Sequence, residues 1–118
     1  MEVEPVRISP RDMITVTTPT VPGYRVKRVI AVVSGLTART RGVGGKIVAG
    51  IESMFGGEVS AFTSEIEKAR VEAMDRMKEQ ARRRGANAII GLDIETSDVL
   101  QGTILISATG TAVVIEPD

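Results

Sequence analysis

Two segments of this chain are apolar on both sides of a strand, and this constrains the possible fold more than any other feature. Residues 24–37, YRVKRVIAVVSGLT, alternate at first, with Val26 set between Arg25 and Lys27. From Val29 to Val33 they become apolar at successive positions. Residues 103–115, TILISATGTAVVI, show the same loss of alternation. A strand with one wet face alternates, whereas an unbroken apolar run marks a strand covered on both faces. The 118 residues suffice for one domain with one modest core. Both faces of its sheet need cover.

Little else in the chain can supply that cover. Residues 1–11, with Pro5 and Pro10, read as an irregular leader, and residues 12–118 as a single domain. Ile14 to Thr18 form a short β-branched strand, stopped by Pro19, Pro22 and Gly23. After the long strand comes a basic glycine-rich loop, then residues 46–55. There Ile47, Val48, Ile51, Met54 and Phe55 have helical spacing up to the Gly56-Gly57 stop. A long helix is expected from about Thr63 to Arg84, with Ser64 and Glu67 at capping-box spacing and Gly85 at the C-terminal stop. Phe62, Ile66, Ala69, Ala73 and Met77 form its one narrow apolar stripe, and the alanines allow close approach to a sheet. Glu72 and Arg76 are a favourable i,i+4 pair. Residues 87–96 form a strand, with Ile90, Leu92 and Ile94 expected on one face and Ile89, Gly91, Asp93 and Glu95 on the other. Residues 98–102 turn into the last long strand. The order defines an α+β domain, with helices against one face of a mostly antiparallel sheet. One narrow stripe leaves the second sheet face bare, and another copy of the chain is its simplest cover. Val33 and Val113, from the doubly apolar strands, are expected at that contact. Val71, about half a turn from the helix stripe, is expected there too.

The composition removes most familiar chemistry. There is no Cys and no His, so disulfides, thiolate or imidazole metal sites, cysteine nucleophiles and histidine bases are excluded. Fifteen basic and fifteen acidic residues cancel, which argues against a whole-domain grip on nucleic acid or an anionic membrane. No apolar run approaches the ~20 residues of a membrane span, and the N-terminus has no signal-peptide core, so a cytoplasmic location is expected.

Two constellations remain as candidate sites. Gly42-Val-Gly44-Gly45-Lys46, flanked by Arg39 and Arg41, opens the short helix and can present N–H groups and three cations to an anion. It is not a P-loop, because Ile47 stands where Ser or Thr should hold magnesium. Its alternative reading is a turn, or a surface that meets the next subunit. Asp93, Glu95 and Asp98, with Glu116 on the adjacent strand, can offer oxygens to a hard cation. They serve equally as a solvated edge or as partners for a neighbour's arginines. Arg82, Arg83 and Arg84 suit the negative end of a helix. Tyr24 has no visible partner base, and Met54, Met74 and Met77 sit at packing positions. No catalytic triad can be assembled by spacing, and no cofactor is expected.

Several segments, in order, resemble the YbjQ-like family: Thr17-Thr-Pro-Thr, the strand after Gly23, Gly56-Gly57, AFTSEIEKAR at 61–70, ARRRGANAIIGLD at 81–93 and Thr109-Gly-Thr-Ala-Val. The resemblance spans about residues 14–115. It implies a dodecin-like subunit, one long helix across a three-stranded antiparallel sheet, assembled as a homopentamer. The family carries a heavy-metal-binding label without an established role. Soft metals favour thiolate and imidazole, so a site here would need carboxylates or the five Met thioethers. Three functions follow as expectations: a non-enzymatic oligomeric binding or scaffold module, a metal-handling protein, or an enzyme using carboxylates.

Overall fold

The computed structural model describes residues 13–40, 58–100 and 102–118. Its elements are β1 (Ile14–Thr15), β2 (Tyr24–Thr40), α1 (Glu58–Arg83), β3 (Ala88–Leu100) and β4 (Thr103–Pro117). The sheet order is β1-β3-β4-β2, with β4 antiparallel to both long neighbours and β1 parallel to β3. The expected three antiparallel strands are present, but the N-terminal strand joins them and makes the sheet four-stranded and mixed. The chain past β1 stays hydrogen-bonded to β3 up to Leu92. Val16 N–H donates to Ile89 O, Gly91 N–H to Thr18 O, and Leu92 N–H to Val16 O, each at 3.0 Å. The leader at 1–11 and the helix expected at 46–55 lie outside the described residues.

α1 packs on one face of the sheet through the alanine-rich stripe. Ala69, Ala73, Met77 and Ala81 are fully buried, against Val33, Ile89, Ile106, Ala108 and Ala112. Contact is closest at Gly35, where a Cβ would collide with the Ala73 carbonyl and lie 2.6 Å from the Met77 nitrogen. The helix starts earlier than its expected cap. It runs back to Glu58, because nothing between the Gly56-Gly57 doublet and Thr63 breaks a helix, so Ser64 lies within it. Its other end matches expectation. Gly85 has φ +88°, its N–H donates to Arg82 O, and Ala86 N–H donates to Ala81 O, a Schellman closure with Ala81 and Ala86 both buried.

β3 departs from strict alternation. Gly91 takes φ +64°, and the register with β4 slips between Ile90 and Asp93. Ile89 before the slip, and Leu92 and Ile94 after it, therefore all pack toward α1. Ile90 instead joins Ala88, Val113 and Ile115 on the opposite face, under Ile14 and Val21. The N-terminal segment thus covers one end of the second face. Asn87 extends the ladder there, donating from Nδ2 to Ile115 O at 2.9 Å and accepting from Ile115 N–H at 2.8 Å. The long strands give the molecule a 61 Å axis against 27 and 22 Å.

Candidate functional site

β2 lies at the edge of the sheet, and α1 leans over its C-terminal half. Between them is a solvent-open groove of about 450 Å³ lined by Ser34, Glu72, Asp75, Arg76, Glu79, Gln80 and Arg83. Helix side chains reach across it to the outer backbone of the strand. Ser34 N–H donates to Gln80 Oε1 at 2.8 Å, and Arg76 donates to Leu36 O. Edge groups that would otherwise face only water are thereby closed.

Charges along this groove are paired within the chain. Arg39 Nη2 donates to Glu72 Oε2 at 2.7 Å, Arg39 Nη1 donates to Thr37 Oγ1 at 3.0 Å, and Arg39 Nε lies 3.6 Å from Glu65. Arg76 also pairs with Glu72, the expected i,i+4 couple. Glu79 accepts from Arg82 and Arg83. The hydrogen bond from Arg39 holds the Glu72 carboxyl below the usual range. The hydrogen bond from Arg82 holds Glu79 at about 2. Glu79 in turn raises the Arg82 guanidinium. These groups keep their charges near neutrality and stabilise one another, and none is poised to exchange a proton.

The sequence candidates distribute unevenly over this structure. The Arg39 guanidinium is engaged within the chain by the Glu72 carboxylate. Arg41, Gly44, Gly45 and Lys46 lie outside the described residues. Asp93 and Glu95 share the face away from α1, opposite Thr109 and Ser107, whereas Asp98 pairs with Ile104 on the α1 face. The bulge at Gly91 does not restore the trio, since three and five positions separate Asp98 from the other two. Glu116 is engaged by Arg25, at 2.6 Å, and by Lys27. Val33 is buried beneath α1 and Val113 beneath the N-terminal segment, so neither has surface left for a neighbour. Val71 is 56% exposed. Tyr24 is partly exposed at the start of β2. Sequence reasoning missed Gln80 and Arg76 as closures of the strand edge. The signal was weak, since a Gln and an Arg one helical turn apart are ordinary surface residues.

The family's heavy-metal label does not fit the donors. Among the described residues no three acidic groups converge on a point. Met13 and Met77 are buried in the main core and Met74 packs against it.

What remains open is the sheet face away from α1. Val29 is 63%, Val32 70% and Leu36 50% exposed, beyond the stretch that the N-terminal segment covers. A 26-residue helix on one face of a four-stranded mixed sheet, with part of the other face left apolar and exposed by the described residues, defines a two-layer α+β protein. By its sequence the chain belongs to the YbjQ family, described as "Putative heavy-metal-binding", which matches residues 13–116. It is 42% identical over 91% of its length to a "UPF0145 protein" of Methanocella arvoryzae, covering 89% of that protein. It is 45% identical over 82% of its length to another from Hahella chejuensis, covering 93% of it. A crystal structure of a protein of unknown function from Pediococcus pentosaceus has the same fold. Its TM-score is 0.58 at 20% identity, over 88% of this chain and 98% of that one.

Proposed function

We propose that the chain is a non-enzymatic binding or scaffold module that acts as a cytoplasmic homo-oligomer, with any ligand or anion held between subunits. The homopentamer implied by the family resemblance is the stoichiometry to test. One observation carries the reading: Val29, Val32 and Leu36 stand exposed on a sheet face that the described residues leave uncovered. Contiguous exposed apolar surface on a small protein marks an interaction site. Val71, exposed on the flank of α1, is a second contact of the same kind. The groove chemistry supports a non-catalytic role, because Glu72 and Glu79 are each tied to arginines. Light scattering coupled to size exclusion tests the assembly. The expected mass is five times 12.6 kDa; a stable monomer at micromolar concentration overturns the reading.

A further inference from the structure

We propose that the N-terminal half of β2, residues 25–32, is a docking strand for the free edge of β3, residues 93–98, in a second copy of the chain. This deepens the oligomeric reading above and rests on it.

The two edges of the sheet are open over different lengths. On one side, the segment around β1 hydrogen-bonds β3 as far as Leu92 and no further. From Asp93 onward the outer backbone of β3 has no strand beside it among the described residues. On the other side β2 pairs only with β4. Its C-terminal half is closed by side chains, with Gln80 on Ser34 N–H, Arg76 on Leu36 O and Arg39 on Ala38 O. Among the described residues no side chain closes positions 25–32 in this way. A row of outward N–H and C=O groups along such a strand is a template for strand addition. Val26, Val29 and Val32, at 39, 63 and 70% exposure, line it with apolar surface.

Charge selects the occupant. The open half of β2 carries Arg25, Lys27 and Arg28 and no acid, while the open part of β3 carries Asp93, Glu95 and Asp98 and no base. Arg25 and Lys27 share Glu116. Arg28, Asp93, Glu95 and Asp98 have no ion-pair partner among the described residues. Two β2 edges brought together would set three cations against three, which is destabilising between adjacent strands. A β2 edge against a β3 edge sets opposite signs together. β2 and β3 both run antiparallel to β4, so they are parallel to each other. A neighbour's β3 continuing the sheet therefore adds parallel to β2. The contact uses two different surfaces, and repeating it joins subunits head to tail, the arrangement that closes into rings.

Two charge-reversed double variants test the assignment, K27E/R28E on β2 and D93K/E95K on β3, by light scattering of each alone and of the quadruple variant that combines them. Circular dichroism checks that each is folded. Each variant alone sets mostly like charges against each other at the junction, so its mass should fall below that of the wild type, with assembly weakened at least tenfold. The quadruple variant restores opposite signs at every junction, whatever the number of subunits, and should regain the larger mass. V29K, which keeps every original charge but interrupts the apolar row, should also lower the mass. A wild-type oligomer whose mass neither double variant alters overturns the edge assignment and leaves the oligomeric reading standing. Failure of the folded quadruple variant to recover also overturns it. A monomeric wild type overturns both.

Discussion

Glu79 shows how much of this protein's surface chemistry is settled between neighbouring side chains. It sits three residues before Arg82 and four before Arg83, and the hydrogen bond from Arg82 is the main reason its carboxyl falls from the usual 4.5 to about 2. Arg39 lowers Glu72 in the same sense. A carboxyl depressed by folding adds stability above its unfolded pKa, and that stability is lost as the pH falls through the folded one. The melting temperature should therefore fall on acidification from pH 4.5 to about 2. Glu79→Gln should make that fall shallower, because its amide does not titrate; an unchanged slope in differential scanning fluorimetry would contradict this. The effect is small, since exposed pairs are screened by water and salt. Of these pairings, Glu72–Arg76 was legible in the sequence because helical spacing alone brings the two together. Arg39–Glu72 was not. It depends on how β2 and α1 cross, and the local run of Arg and Gly suggested an anion site instead.

Among the elements, the helix was the easiest to read and β3 the hardest. A 3.6-residue repeat survives any tertiary context, so the stripe through Ala69, Ala73 and Met77 appears in the fold as it does in the sequence. The C-terminal stop was equally plain, because few residues other than Gly accept φ +88°. Gly85→Ala retains the backbone donors but forces a side chain into that region. It should cost roughly 1 kcal/mol, read as a lower urea midpoint with unchanged slope; no change would mean that the helix end relaxes freely. The N-terminal end misled, since Ser64 and Glu67 fit a capping box but lie within a longer helix. In β3 a period of two was assumed through Gly91. The bulge there inserts a residue and turns Leu92 and Ile94 toward α1, where Ile89 already points. A single glycine in a strand signals such a kink only weakly, and its side of the sheet is decided by pairing with β4.

For the whole molecule, the sequence exposed a surplus of apolar strand surface but did not apportion it. Part of the surplus is resolved within the chain, where the N-terminal segment covers Ala88, Val113 and Ile115. For this reason Val113 is a core residue, and Val33, facing α1, is another. The remainder is the patch at Val29, Val32 and Leu36, toward the basic end and middle of β2. If that patch is an interface, stability becomes a function of protein concentration, because mass action favours whichever state buries it. Each apolar residue covered contributes about 25 cal/mol per Å² gross, offset in part by the entropy lost on association. The melting temperature of the wild type should therefore climb as concentration rises from low to high micromolar. Val32→Glu places a charge at the most exposed apolar position of the strand, where a single chain loses almost no packing. It should leave the dilute melting temperature within about a degree or two of wild type, as surface changes do, and flatten the climb. A steep climb in the variant would move the interface off this face. A flat line in the wild type would mean that the exposed valines are tolerated by a lone subunit.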